Sequence, residues 1–186
     1  MRKKIDMKNN AQTINNYFMP YFEIETNLDK IFSLSITKED ENIRFRDFLS
    51  QRNSETIDAE VMKLNNNITP KINCTECGNC CKSLMINVTE IEADALSAHL
   101  KLTRNAFDEK NLEKGVSMMV MNAIPCNFLD NNICTVYEYR FSGCKEFPAM
   151  HLPDFNKRLF TTFMHYSRCP IIYNVVEGLK VKTGFI

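Results

Sequence analysis

Eight cysteines are the residues of this sequence whose types and spacing best suit chemistry, and all of them follow residue 73. They are Cys74, Cys77, Cys80, Cys81, Cys126, Cys134, Cys144 and Cys169. A thiolate is both a nucleophile and a soft metal ligand, whereas two oxidised thiols form a disulfide. Cysteines at this density indicate disulfides in a secreted protein, and metal ligation or redox chemistry in a reducing compartment. The compartment therefore decides between these two kinds of chemistry.

The N-terminal residues predict a cytoplasmic protein. Met1–Asn10 is basic, but no apolar stretch of about 7–15 residues follows it, so we expect no secretory signal. No window approaches about 18 consecutive apolar residues, so we expect no transmembrane helix and no membrane partner. The 23 basic and 23 acidic residues cancel, which predicts no nucleic-acid partner. In the reducing cytoplasm we expect the cysteines to stay reduced, which favours a metal ion as their partner.

The densest cysteine segment has the spacing C-x2-C-x2-C-C and runs from Cys74 to Cys81. Two cysteines separated by two residues can place both sulfurs on one metal through a tight turn. Gly78 follows the second cysteine and favours that turn, because glycine tolerates positive φ. In an extended segment the adjacent Cys80 and Cys81 would point to opposite sides. They would then serve two sites, or one would bind metal while the other packs or reacts.

The other four cysteines lie in a turn-rich region between Pro125 and Pro170. Asp130-Asn131-Asn132 is typical of a turn between two short extended pieces, which would return Cys134 close to Cys126. Cys144 and the dipeptide Cys169-Pro170 complete the set.

The spacing leaves three arrangements of metal open. Eight thiolates suit two tetrahedral zinc sites of four cysteines each. They also suit one [4Fe–4S] cluster with spare thiols, because Cys74, Cys77 and Cys80 have the spacing of a cluster loop and Cys169-Pro170 supplies a remote Cys-Pro ligand. A binuclear site with bridging thiolates is the third. Sulfur ligands argue against magnesium and calcium, and spacing does not separate zinc from iron.

Four cations lie close to the cysteines in sequence. Lys82, Lys145 and Arg168 each adjoin a cysteine, and Arg140 lies near Cys144. Positive charge stabilises thiolates and tunes a metal centre, although ordinary surface cations would give the same pattern.

The remaining polar residues offer no alternative catalytic motif. His151 and His165 lie in the cysteine-rich half and His99 lies on a predicted helix, but no H-E-x-x-H pattern occurs, so we leave the histidines out of the ligand set. The sequence has no P-loop, no G-x-G-x-x-G loop and no G-x-S-x-G elbow. We interpret Tyr137, Tyr139, Phe141 and Phe147 as packing residues of a small core.

The first 70 residues read as a helical extension. Pro20 predicts a helix start, and Ile24, Leu28, Ile31 and Phe32 share one helix face. Thr37 is expected to cap a second helix, which carries Phe45, Phe48 and Leu49. Ser54 is expected to cap a third, with Ile57, Val61 and Leu64 on one face.

Regular structure in residues 71–186 is predicted to be sparse. Residues 84–88 and 117–121 favour short strands. Thr89-Glu90-Ile91-Glu92 is a capping box that opens a helix with Ile91, Ala95, Ala98 and Leu102 on one face, and Thr103 caps the next helix. The sequence thus predicts a helix-rich α+β fold: an N-terminal helical extension, residues 1–70, on a small irregular cysteine-rich metal domain, residues 71–186.

These motifs together resemble the cysteine-rich zinc- or iron-chelating family, also called the CxxCxxCC or YkgJ-like family, which is related to the chelating region of flagellin lysine N-methylases. The matching pieces run from Cys74 to Cys81, from Pro125 to Leu129, from Cys134 to Arg140, from Cys144 to Pro148, and over Cys169-Pro170. One departure is Arg140-Phe141, where the family usually has Arg-Pro, which puts the local turn in doubt. The resemblance implies metal chelation by all eight cysteines.

Three functional hypotheses follow. The first is a binding protein in which thiolates chelate zinc or an iron or iron–sulfur centre and lock the fold. The second is a metal-dependent enzyme with redox activity, or an activity related to lysine methylation, which only the flagellin-methylase relationship suggests. The third is a zinc-stabilised interaction module.

Overall fold

The computed structural model describes residues 23–116 and 118–185 and has the predicted helix-rich α+β architecture. The helices in this part are α1 (Leu28–Thr37), α2 (Glu39–Ser50), α3 (Ser54–Ile68), α4 (Cys74–Cys77), α5 (Asn79–Ser83), α6 (Glu90–His99), α7 (Arg104–Asn111), α8 (Ser142–Glu146), α9 (Leu159–Met164) and α10 (Pro170–Lys182). The strands are β1 (Asn87–Val88), β2 (Leu112–Lys114), β3 (Met119–Met121), β4 (Leu129–Asp130) and β5 (Ile133–Cys134). None of these helices has the length and apolar composition needed to cross a membrane.

The caps of the N-terminal helices differ from the prediction by one residue. Asn53, not Ser54, caps α3, because its side chain accepts a hydrogen bond from the backbone N–H of Thr56 at 2.9 Å. Thr37 ends α1, where its hydroxyl donates to the carbonyl of Leu34, and α2 follows Lys38 without a side-chain cap. The helix start predicted at Pro20 lies outside the described residues.

The predicted apolar faces of these helices are mostly confirmed. Ile57, Val61 and Leu64 of α3 are buried, as are Phe45 and Leu49 of α2. In α1 Ile31 is buried but Phe32 is 57% exposed, so the prediction that both share the packed face is wrong. Adjacent helical residues are separated by about 100°, and only one of the two can face the interior fully.

Helix α10 forms the centre of the first hydrophobic core. It is buried from Pro170 through Lys180, and it packs against α3 closely enough that a Cβ on Gly178 would lie 2.8 Å from Leu64 Cδ2. The buried members of this core are Ile31, Phe45, Leu49, Ile57, Val61, Leu64, Ile68, Ile72, Met150, Phe155, Leu159, Tyr166, Cys169, Ile171, Ile172, Tyr173, Val175, Val176 and Leu179.

A buried ion-pair network crosses this first core. Lys180 is fully buried, and its Nζ lies 2.5 Å from Glu41 Oε1 and 2.7 Å from Glu177 Oε1. Glu177 also accepts hydrogen bonds from Lys38 and, at 2.7 Å, from the hydroxyl of Tyr166. The two carboxylates balance the two ammonium groups, so the network ties α2 and Lys38, the residue between α1 and α2, to α10 without net charge.

The second hydrophobic core lies around a three-stranded antiparallel sheet of order β1-β3-β2. Helix α6 begins at the predicted capping box, because Thr89 and Glu92 each bond the other's backbone N–H, and Thr103 caps α7 as predicted. The buried face of α6 is not the predicted one, since Ile91 is 81% exposed. The buried members of this core are Val88, Ala93, Leu96, Phe107, Leu112, Met119, Met121, Val136 and Phe141.

The two cores divide the chain unevenly along the sequence. Residues 31–72 and 150–179 contribute to the first core, and residues 88–141 contribute to the second. The N-terminal helices therefore pack with the C-terminal helix. The division at residue 70 into an extension and a domain stays a prediction.

Candidate metal centre

The densest cysteine segment, which runs from Cys74 to Cys81 and is called the signature segment below, lies in two short helices, α4 and α5. A glycine in the left-handed conformation joins them. The side chain of Asn73 caps α4 by accepting from the backbone N–H of Thr75 at 3.1 Å. Gly78 has φ of +58°, and its N–H donates to the carbonyl of Cys74 at 2.9 Å. Because L side chains disfavour this conformation, glycine allows the chain to reverse between the C-x-x-C pair and the adjacent pair.

The adjacent cysteines lie in helix α5 and not in an extended segment. Their sulfurs, Cys80 Sγ and Cys81 Sγ, are 3.9 Å apart. The argument that these side chains point to opposite sides therefore does not apply, because successive helical residues diverge by about 100° rather than 180°.

The β4–β5 hairpin brings Cys134 to the signature segment, and its predicted turn is confirmed. Asn131 and Asn132 have φ of +45° and +68°, as a tight two-residue hairpin turn requires. The tip rests on the signature turn, where Asn132 Nδ2 donates to the carbonyl of Glu76 at 3.1 Å. A Cβ on Gly78 would lie 3.0 Å from Cβ of Asn132, so the glycine is also needed for this approach.

Backbone and side-chain hydrogen bonds bring the other cysteines to the same region. The N–H of Cys126 donates to the carbonyl of Cys81 at 2.8 Å, and Asn79 Nδ2 donates to the carbonyl of Arg168 at 2.8 Å. Cys169 follows directly and precedes the first turn of α10. Cys144 lies in α8, and Phe141 caps that helix with φ of −60°, a value that proline also adopts. Phe141 therefore has a backbone conformation that the proline usual in the family would also adopt, so the departure at Arg140-Phe141 does not change the turn.

All eight cysteines line two adjoining cavities. The first cavity, of about 80 Å³, is lined by Cys74, Cys80, Cys81, Cys126, Cys134 and Cys144. The second cavity, of about 280 Å³, is lined by Cys74, Cys77, Cys80, Cys144 and Cys169. Three cysteines face both cavities, three face only the first, and two face only the second.

Burial and neighbouring thiols raise the pKa of most of these cysteines. Burial raises the pKa of Cys144 to about 11, and charges on Cys126, Cys80 and Cys134 add to the effect. Burial raises the pKa of Cys169 to about 12, with contributions from Cys74 and Cys80 and an opposing one from the N–H groups of Ile172 and Ile171. These thiols need a cation, such as a metal ion, to ionise at neutral pH.

The pKa of Cys80 moves the other way. The hydrogen bond between the two sulfurs lowers the pKa of Cys80 to about 6 although burial opposes it, and the same bond, with burial, raises the pKa of Cys81. The adjacent pair therefore titrates as one coupled unit, in which loss of the first proton is favoured and loss of the second is opposed.

Three of the four cations noted in the sequence line the second cavity, namely Arg140, Lys145 and Arg168. The guanidinium of Arg140 stacks on the Tyr137 ring, 3.4 Å from its centroid, and its Nε donates to the Tyr137 carbonyl at 2.9 Å. Burial raises the pKa of Cys74 and Cys144, and the charge of Arg140 opposes this rise without cancelling it. The same charge adds to the lowering of the pKa of Cys80, the third thiol shared by both cavities. Lys82 lies outside both linings.

Within the two described ranges, no three His, Cys, Asp or Glu side chains meet at a spacing that would hold a metal ion. His151 is exposed, and the rings of His165 and Phe147 meet edge to face with centroids 5.3 Å apart. His99 stacks on Tyr139 at 3.7 Å. The thiols thus share a region without converging on one point, and the donor set fits zinc or iron through its soft sulfur chemistry.

Sequence reasoning missed three residues that shape these cavities. Tyr137 and Phe147 were interpreted as core packing. Phe147 does pack against the first core, but both residues also line both cavities, and Asn132 lines the first. The Asp-Asn-Asn run was a signal for the turn at Asn132, but the docking of that turn on Gly78 joins residues too far apart in sequence to be read from it.

A family model for the CxxCxxCC family, described as "Putative zinc- or iron-chelating domain", matches residues 73–169, just over half of the 186-residue chain. The chain belongs to this family. Neither the search of curated proteins nor the search of solved structures returns a match. Family membership supports metal binding, and it does not distinguish zinc from iron.

Proposed function

We propose that this protein chelates zinc or iron in two adjoining sets of four thiolates. The first thiol set is Cys81, Cys126, Cys134 and Cys144, and the second thiol set is Cys74, Cys77, Cys80 and Cys169. The observation that carries the proposal is the sharing of two adjoining cavities by all eight cysteines.

The linings of the cavities support this division. Cys81, Cys126 and Cys134 face only the first cavity, whereas Cys77 and Cys169 face only the second. Three cysteines thus face only the first cavity and two face only the second. To complete four thiolates at each site, the first set needs one of the three shared cysteines and the second set needs the other two.

Electrostatic neighbours support the proposed placing of the shared cysteines. After burial, the charge of Cys126 contributes most to the raised pKa of Cys144, which favours the first set, although Cys80 also contributes. Cys74 feels Cys80 and Cys77, and Cys169 feels Cys74 and Cys80, which keeps the second set together. The two sets meet where Cys80 and Cys81 approach to 3.9 Å.

Packing against the two hydrophobic cores agrees with the same division. Cys126, Cys134 and Cys144 pack against the second core, whereas Cys169 is a buried member of the first. A metal ion supplies a cross-link between thiolates, which for structural zinc has an apparent binding free energy of about 10–16 kcal/mol in peptides. Chelation would therefore hold each core to the signature segment.

The division is tested by metal analysis of C134S and C169S, each purified without oxygen or chelator. Each variant is expected to lose one metal equivalent and keep the other, since each removes a ligand from a different set. S83A is the matched control, because Ser83 lines the second cavity but is not a thiol. Complete loss of metal in either variant would indicate one shared centre, and full retention in both would contradict the ligand assignment.

A second candidate function is a reactive metal centre that binds a small anion. The second cavity favours it, because Arg140, Lys145 and Arg168 line it and no described Asp or Glu does. None of these three cations forms an ion pair with a described residue.

The two candidates are separated by titrating the metal-loaded protein with inorganic phosphate or acetate in a calorimeter. A reactive centre predicts saturable binding that R168Q weakens while metal content is unchanged. K71Q, which removes a lysine outside the cavity linings, serves as the control. Absence of saturable binding, or loss of metal in R168Q, would leave the cations with the single role of balancing thiolate charge.

A further inference from the structure

A groove of about 470 Å³ lies between helices α2 and α9, on the helical part of the molecule. One face of α2, consisting of Glu39, Asn42, Ile43 and Arg46, forms one wall, and Phe160, Phe163 and Met164 of α9 form the other. None of the eight cysteines lines it, so the groove is separate from the candidate metal centre.

Apolar side chains are unusually exposed along this groove. Ile36 is 59% exposed, Ile43 49%, Phe160 68% and Met164 47%. Contiguous exposed apolar residues of this kind mark interaction surfaces, because covering them removes apolar area from water.

The charges on the α2 wall are self-complementary. Glu39 and Arg46 are seven residues apart, or about two helical turns, so they lie on one face of α2. Neither forms an ion pair with a described residue. If α2 packs antiparallel on α2 of a second copy, with the two-fold axis between Asn42 and Ile43, then Glu39 of each copy faces Arg46 of the other.

We propose that this groove binds a second copy of the same chain. The two α2 helices pack antiparallel across a two-fold axis, Ile43 of each copy enters the groove of the other, and two Glu39–Arg46 ion pairs flank the axis. A closed two-fold interface of this kind covers the apolar walls in both copies at once.

The test is a charge exchange on the full-length, metal-loaded protein, with mass measured by light scattering or sedimentation. The wild type is expected to be a dimer, and E39R and R46E are each expected to weaken dimerisation by about tenfold or more, because like charges then face each other twice. An equimolar mixture of E39R and R46E is expected to form heterodimers, since the opposite charges meet again.

The matched control is E55R, which changes an acidic residue in the first turn of α3 as E39R does in α2. It is expected to leave the dimer intact, and thermal melts establish that the exchanged variants remain folded. A wild type that is monomeric at ~100 μM would overturn the proposal and assign the groove to a different occupant. A dimer that survives both E39R and R46E would overturn it as well.

Discussion

Replacing Gly78 with alanine tests how the signature turn is joined to the β4–β5 hairpin. Two separate penalties act at this position. Gly78 has φ of +58°, a left-handed conformation that costs an L residue about 1–2 kcal/mol. The added Cβ would also lie 3.0 Å from Cβ and 3.1 Å from Cα of Asn132, closer than carbon atoms normally approach. Because one of these contacts is backbone, the hairpin tip itself must move.

Gly184 serves as a control that separates the conformational penalty from the steric one. Gly184 has φ of +67°, but nothing lies within 4 Å of the Cβ that alanine would add there. G184A should therefore lose only the conformational term of about 1–2 kcal/mol. G78A should lose this plus an overpacking term of about 1–3 kcal/mol, for a total of about 2–5 kcal/mol.

The free energies of unfolding of both variants and the wild type would be measured by urea denaturation at fixed metal loading. We also expect G78A, and not G184A, to bind metal more weakly, because the hairpin carries Cys134 into the first thiol set. Equal losses of stability in the two variants, with equal metal content, would refute the role of the Gly78–Asn132 contact.

Three further predictions concern the two cores. E177Q should destabilise the protein by about 3 kcal/mol or more, because it removes a partner of buried Lys180. E109Q, at an exposed glutamate of α7, is the control in the same denaturation assay. Burial raises the pKa of Glu177, but hydrogen bonds from Lys180, Lys38 and Tyr166 outweigh it, so this pKa lies below its usual value. The Glu177 carboxylate therefore contributes its full stabilisation above the unfolded-state pKa of about 4.5. This stabilisation is lost as the pH falls through the lowered folded-state pKa. The free energy of unfolding should therefore fall less steeply with decreasing pH in E177Q than in the wild type. D58A should cost ~2 kcal/mol or more, measured against exposed D47A, because Asp58 accepts from the N–H groups of Asp154 and Phe155 at 2.7 and 2.8 Å. Removing metal with a chelator should split one calorimetric unfolding transition into two, because each core keeps its own packing; a single transition without metal would contradict this.

Local signals in the sequence predicted the elements that depend on neighbouring residues. The capping box at Thr89–Glu92 and the turn at Asp130–Asn132 are both confirmed, because each is stabilised by hydrogen bonds or dihedral preferences within a few residues. The packed face of α6 was predicted wrongly. Alanine and serine occur on both sides of that helix, and such small residues discriminate poorly between faces.

The site was predictable in its residue types but not in its arrangement. The cysteine spacing indicated soft-metal chemistry, yet Cys80 and Cys81 were treated as extended residues and lie in a helix. The proposed division of thiols depends on contacts such as the hydrogen bond from the Cys126 N–H to the Cys81 carbonyl, which joins residues 45 positions apart. No local pattern encodes a contact of that separation, since it arises only when the hairpin and the signature segment meet.

The proposed division of ligands would explain why the cysteines of the signature segment, which is bonded to both cores, are so concentrated. Helix α5 is tied to the first core through Asn79 and the carbonyl of Arg168, next to Cys169, and to the second through the Cys81 carbonyl and Cys126. Each link is a single hydrogen bond, which contributes about 1 kcal/mol. A four-thiolate metal site at each link would be several times stronger. Under the proposed division, the C-x2-C-x2-C-C spacing would let one short segment supply ligands to both sites, so that the metal, more than apolar burial, would join the two cores.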